Sequence, residues 1–403
     1  MKIPKISNLM LFAVLSSVGL FSFTASAKAR VADSYKSSCA SVLMGLVNSG
    51  DHGSEKLMKR AQHYNGAPDE FMPSAENAPW AANYFPMDKG GIASRWQSSR
   101  PKAYKMLDEA SDGSLLSFEE TRAKVAALST EKLSKLSPTE KYDILRGDYS
   151  FQTTRWELLN RGPERDPKPD SWEGFCNAMR AAGCLSSEPV RAITIRNDDG
   201  IEVELQPADI KALFGATYFY VEKYSALGTP HFGRGLDTDP PNAAAFHTAL
   251  NALALKGNFA MVIDVENRGT EIWNESVVGY LRGMNEPRAL TAAEARRAPR
   301  RATHAVDVDM ELRALAEISI EDTNGATQRQ VAAGELGINR IEYHYKLYID
   351  DEGKTLEGEW VGEEWPDFVW FPGGRGTDAE NGGNPYLDYD TVKKWADESA
   401  ARE

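Results

Sequence analysis

Two long alternating stretches in the last third of the chain most constrain what it can fold into. From His304 to Ile318, the apolar residues Ala305, Val306, Val308, Met310 and Leu312 punctuate charged ones. From Ile341 to Ile349, every second residue is Ile, Tyr or Leu, set against Glu342, His344, Lys346 and Tyr348. A period of two means strands, and polar residues on the alternate positions mean a solvated face and antiparallel pairing. The polar connection starting at Asp322-Thr323-Asn324-Gly325 lets the second stretch return beside the first. His304, at the start of one strand, would then face the end of the other. Asp350-Asp351-Glu352-Gly353 predicts a turn into a further strand over 355–360.

Other elements follow from local signals. Asn197-Asp198-Asp199-Gly200, between Ala192–Arg196 and Ile201–Leu205, predicts a hairpin. Helices are expected over 118–133 and over 138–145, the latter opened by a Ser137/Glu140 capping box. Further helices are expected over 208–223 and over 242–256, the last closed by Gly257. Residues 258–265 read as a buried strand. The class is α+β.

The stretch from Asp170 to Gly183 carries the candidate chemistry. A Pro- and charge-rich run from Arg161 to Pro169 precedes it and cannot be helical. After Gly174 the composition favours helix, which places Cys176 on a first turn and predicts a stop near Gly183. Unpaired N–H groups and the helix dipole favour a thiolate there, and the thiolate is the reactive form. The same N–H groups could hold a developing oxyanion. A small buried hydrophobe is the competing reading of a cysteine after a glycine.

The beginning of the chain reads as an export signal. Lys2 and Lys5 precede an apolar core from Leu9 to Phe23, and Ala25-Ser26-Ala27 is a small-x-small cleavage site. The expected product begins at Lys28, is secreted or periplasmic, and has no membrane anchor. A net charge of −13 argues against nucleic acid and anionic membranes as partners. The three cysteines are Cys39, Cys176 and Cys184. A Cys39–Cys184 disulfide, one guess at the connectivity, would leave Cys176 available as a thiol.

A cysteine acyl-transfer enzyme needs a histidine and a third group that orients it. His52, His63 and His231 fall in loop-like surroundings, and His344 sits on a polar strand face. His304, at a strand end, can project into a cleft, and the expected hairpin brings Asp350 beside it. The favoured constellation is Cys176, His304 and Asp350. His247 with Asp264, or Asp322 in place of Asp350, remain open. A turn-forming role competes for Asp350.

The order, a Cys helix followed by His on one strand and a carboxylate at the end of the next, is the papain-like order. His304 follows Cys176 by 128 residues, against roughly 130–150 in papain-type enzymes. A closer resemblance lies in Glu271-Ile272-Trp273-Asn274-Glu275-Ser276-Val277-Val278-Gly279-Tyr280. This stretch is similar to the elicitor peptide segment of the transglutaminase elicitor family of oomycetes and marine bacteria. Trp172-x-Gly174-x-Cys176, Tyr345-x-Leu347-x-Ile349-Asp350-x-x-Gly353, Gly358-Glu359-Trp360, Pro366–Trp370 and Ser137–Leu145 also resemble that family. The likeness runs from about Ser137 to Pro372.

The resemblance implies a secreted transglutaminase with a papain-like core. Cys176 would be its nucleophile, and His304 and Asp350 are matched by order and strand context. Trp172 and Trp273 would line the substrate site. Partners would be protein substrates: a glutamine donor and a lysine or other amine acceptor. Calcium dependence occurs in the family. Asp307/Asp309 and Asp237/Asp239 are acidic pairs, but neither forms an EF-hand loop. Ser276 stands where the family segment has Pro, which bears on the elicitor property. The expected organisation is a signal over 1–27, an N-terminal helical region over 28–136, the catalytic domain over 137–372, and a tail with a short helix over 373–403. The alternatives are a papain-like cysteine protease or amidase, and a non-enzymatic secreted recognition protein.

Overall fold

A computed structural model of the chain describes residues 58, 63–98, 106–230, 240–257, 260–265, 267, 269 and 271–400. The export signal, Cys39, His52, His231, Asp237 and Asp239 lie outside these residues. No helix among the described residues is long and apolar enough to cross a membrane.

The strands in chain order are β1 (Glu70–Phe71), β2 (Ile193–Arg196), β3 (Glu202–Leu205), β4 (Val221–Leu227), β5 (Val262–Asp264), β6 (Asn274–Met284), β7 (Arg288–Ala289), β8 (His304–Leu315), β9 (Ile338–Ile349), β10 (Thr355–Trp360) and β11 (Phe368–Gly376). Nine of them form one antiparallel sheet in the order β10-β9-β8-β6-β5-β11-β4, with β1 added to β6 and β7 to β8. β2 and β3 make the expected separate hairpin. β8 and β9 pair in continuous register from His304↔Ile349 to Leu315↔Ile338.

Alternation then sorts side chains to two faces. Val306, Val308, Met310 and Leu312 of β8 meet Tyr343, Tyr345 and Leu347 of β9 in one core, covered by the helix Ala243–Lys256. That helix runs as the sequence implies: Asn242 caps its start, and Gly257 ends it in a left-handed conformation. Its Phe246 is fully buried, a burial that stabilises by about 2–3 kcal/mol. On the other face Val262, Phe368 and Trp370 meet the helices Cys176–Leu185 and Pro207–Thr217. Ile263 and Val369, one position along, belong to the first core. The central strands therefore carry helices on both sides.

Several expectations shift. The stretch 118–133 is two helices, Phe118–Ala126 and Thr130–Ser134, because Ser129 caps the second. The Ser137/Glu140 capping box forms on both of its bonds. The expected helix over 208–223 ends at Thr217, and after a turn over 218–220 the chain enters β4 at Val221. Among the described residues, the region before Ser137 holds little helix before Phe118, and β1 joins the main sheet. The helix Tyr389–Ala400 puts Val392 and Trp395 into the core that also holds the Cys176 helix, packing against the helix Pro207–Thr217. This end of the chain is an integral layer of the fold.

Candidate active site

Cys176 is the first residue of the helix Cys176–Leu185 and has no exposed surface. The approach to it is braced. Arg165 grips Glu173 with two bonds of 2.8 and 2.7 Å, and Glu173 Oε1 also accepts the Asp170 N–H at 2.8 Å. The chain turns at Gly174, where a Cβ would lie 2.4 Å from Tyr84 Cδ2 and 2.5 Å from the Tyr84 carbonyl oxygen. Only glycine fits. The next N–H, of Phe175, donates to that carbonyl at 2.6 Å. The segment around Tyr84 is thus laid directly over the head of the helix. Gly183 does not stop the helix, which runs to Leu185. It is needed instead for close approach, since a Cβ there would sit 2.5 Å from the Trp80 carbonyl.

The sulfur sits against the start of β6. Its thiol donates to the Ile272 carbonyl at 3.8 Å, and Asn274 Nδ2 donates to Sγ at 3.5 Å. Asn274 Oδ1 accepts the Trp370 indole N–H at 2.9 Å. One turn along the helix, the buried Arg180 donates Nε to the Asn274 carbonyl at 3.2 Å and Nη2 to Glu317 Oε1 at 2.8 Å. Glu317 Oε2 is buried without a hydrogen bond. The Glu317 carboxyl is raised to about 7, chiefly by burial, with Arg180 opposing the rise and the charges of Cys176 and Glu275 adding to it. Burial also raises Tyr84, helped by Asp88, Glu317, Cys176 and Glu271, so a run of acidic groups surrounds this ring.

Trp273 flanks the sulfur's partners. Its N–H donates to Asp264 Oδ2 at 3.2 Å, its indole to Glu271 Oε2 at 3.0 Å, and its ring meets Tyr84 edge-on at 5.3 Å. Trp172 is half-buried and packs against the core that contains Cys176.

His304 and Asp350 are not brought to this place. Cys176 meets β6 at Asn274, and Ser276, two residues on, pairs with Leu315 at the end of β8. His304 is eleven residues back along β8, about 35 Å away at 3.3 Å per residue. There its Nδ1 is 2.9 Å from Thr303 Oγ1 and 4.0 Å from Asp351. The expected strand pairing is real, but the Cys176 helix docks at its other end. Asp350 accepts the N–H groups of Glu352 and Lys354 at 3.1 and 2.9 Å, which makes it the organiser of the β9–β10 turn.

The remaining candidates are also engaged elsewhere. His247 is buried in the opposite core, with ring nitrogens 2.8 Å from Tyr345 Oη and 2.7 Å from the Tyr64 carbonyl, away from Asp264. Asp322 accepts Ser319 Oγ at 2.8 Å within a short helix. His344 pairs with Asp309 at 2.7 Å, and the His63 backbone forms an isolated β-bridge with that of Lys354. Cys184 is a thiol, with Sγ donating to Ser276 Oγ at 3.4 Å.

No group of three or more His, Cys, Asp or Glu that could hold a metal exists among the described residues. Asp307 faces Arg288 and Lys346, and Asp309 faces His344, so this pair does not fit calcium.

Asn274, Trp370, Arg180 and Glu317 were not singled out by sequence reasoning. Asn274 and Trp370 do lie inside the family-like stretches, Asn274 directly after Trp273 and Trp370 at the end of Pro366–Trp370. A cysteine at the head of a buried helix, laid on an antiparallel sheet, defines an α+β protein built around a thiol. The chain belongs to the transglutaminase elicitor family, whose model matches residues 68–401. Among solved structures, the crystal structure of the GP42 transglutaminase from Phytophthora sojae is similar, with a TM-score of 0.59 at 21% identity. The match covers 87% of this chain and 98% of that one. No curated protein matches the chain.

Proposed function

We propose that the chain is a secreted transglutaminase that joins glutamine to lysine through a Cys176 thioester on a papain-like core. The observation that carries this reading is the position of Cys176 in a member of this family: first on its helix, with sulfur held between Asn274 and Ile272. First-turn N–H groups and the helix dipole favour negative charge on that sulfur. The thiolate attacks a glutamine side-chain carboxamide, a sulfur–carbon bond forms, and the carbon–nitrogen bond breaks. Ammonia leaves with the proton that the thiol gave up. An amine then displaces the sulfur and yields the isopeptide bond. The buried setting beneath Tyr84 and Trp273 keeps water from the thioester while the amine arrives.

The test is incorporation of a labelled primary amine into a glutamine-rich protein, comparing the native chain with Cys176→Ala, with calcium and with chelator. Label taken up by the native chain alone supports acyl transfer through Cys176. Cys176-dependent release of ammonia or peptide without label points to a hydrolase. An inert Cys176 leaves a secreted recognition protein, with the Trp273 segment as its feature.

A further inference from the structure

The geometry points to Asn274 as a catalytic residue: its side-chain N–H₂ donates to the oxyanion formed when Cys176 attacks a carbonyl. The inference rests on the acyl-transfer reading and assigns a group to it. Asn274 is 1% exposed and opens β6, with Asp264 of β5 opposite. Which end of its carboxamide faces the sulfur follows from its neighbours. An indole N–H can only donate, so Trp370, at 2.9 Å, must meet the oxygen. The amide nitrogen is thereby turned to Cys176 Sγ, 3.5 Å away.

The amide cannot drift from this pose. Arg180 holds the Asn274 main-chain carbonyl at 3.2 Å, and that arginine is itself fully buried and bound to the Ala82 and Ala316 carbonyls. Cys176 and its helix, β6 and β11 are therefore tied around one carboxamide.

The chemistry uses this donor only when a bond forms. As the sulfur attacks, the carbonyl π pair moves onto oxygen, which then lies beside the sulfur. A donor already that close to Sγ can reach the oxygen at the roughly 2.7–3.1 Å that such donors need. The main-chain N–H groups at the head of the helix supply the second side of the cradle. When the intermediate collapses, the pair returns, the carbonyl re-forms and the leaving group departs. In the resting protein the same N–H₂ is parked on the sulfur.

The test uses two reactions of one thiol in the full chain. Acylation by p-nitrophenyl acetate passes through an oxyanion, whereas alkylation by iodoacetamide at a saturated carbon does not. Asn274→Ala should slow acylation by about a hundred- to a thousandfold and leave alkylation within about threefold. Trp370→Phe removes the group that aims the amide and should slow acylation by about tenfold, again with alkylation kept. If Asn274→Ala does not fold, the Trp370→Phe ratio of the two rates decides.

Unchanged acylation in both variants overturns the assignment, as does a parallel fall of both reactions, which would mark Asn274 as a holder of the sulfur. If the native chain incorporates amine while the variants acylate as fast as it does, only this assignment falls. If the native chain neither acylates nor incorporates amine, the acyl-transfer reading falls with it.

Discussion

Arg180 and Glu317 form an ion pair of 2.8 Å one helical turn from Cys176, with the Arg180 side chain fully buried and the Glu317 side chain 24% exposed, although its carboxylate oxygen Oε2 is buried. Glu317 is raised to about 7 by burial, and repulsion from Cys176 contributes to the rise. Repulsion is mutual, so an ionised Glu317 opposes the Cys176 thiolate. Replacing it by glutamine removes that charge and leaves Arg180 as net positive potential. The expected result for Glu317→Gln is faster alkylation of Cys176 at pH 8, by about three- to tenfold. The gain should shrink below pH 7, where Glu317 is already neutral in the native chain. A rate equal to or below the native one at pH 8 counts against this coupling.

Gly174 sets how closely the Tyr84 segment can lie over the thiol. A methyl group there meets the Tyr84 carbonyl at 2.5 Å, and that carbonyl is pinned by the Phe175 N–H at 2.6 Å. Neither backbone can yield without breaking the bond. Gly174→Ala should cost roughly 1–3 kcal/mol, read as a drop of several degrees in Tm. Amine incorporation should fall with it, by about tenfold or more, because the head of the Cys176 helix is displaced. A variant with native Tm and native turnover would show that the segment has room to move.

His304 and Asp350 separate catalysis from architecture. His304→Ala should keep amine incorporation within about twofold, since the residue lies about 35 Å along β8 from the sulfur. Asp350→Ala should also keep activity but lose about 1 kcal/mol, because it strips acceptors from the N–H groups of Glu352 and Lys354. Urea unfolding and the amine assay, run on both variants, check this. Loss of turnover in His304→Ala with unchanged stability would restore the strand-end constellation.

The same pair shows what the sequence could and could not disclose. Alternation along β8 and β9 gave their pairing and even the residues at its ends, because a buried face at every second position fixes register. The hairpin at Asn197–Gly200, the Ser137 cap and the Gly257 stop were legible for the same local reason. Which end of β8 receives the Cys176 helix was not. That depends on β6, more than 20 residues earlier, inserting between β5 and β8 with Asn274 at the Leu315 end. Such a docking is decided by side chains far apart in sequence, and Trp370 meets Asn274 across 96 residues. The Cys176 helix was visible because Gly174 and the preceding prolines are local signals. Its neighbours Asn274, Arg180 and Glu317 lie within stretches that drew attention, but nothing local marks their part in the site.

His247 gives the fold a specific acid sensitivity. It has no exposed surface, and burial, reinforced by the nearby Arg282 charge, lowers it to about 3 from its ordinary 6.5. The neutral ring bridges Tyr345 Oη and the Tyr64 carbonyl. Between pH 6.5 and 3 the unfolded chain takes up a proton that the folded chain refuses. The stabilising contribution is therefore complete above about 6.5 and is lost as pH falls towards 3, at up to about 1.4 kcal/mol per unit. His247→Gln keeps a donor and an acceptor without the titration. It should cost about 1–2 kcal/mol at pH 7, yet lose less stability on acidification. The comparison is the urea midpoint at pH 7 and at pH 4.5 for both proteins. The native chain should show the larger drop, and equal drops would mean that His247 is not what makes the fold acid-sensitive.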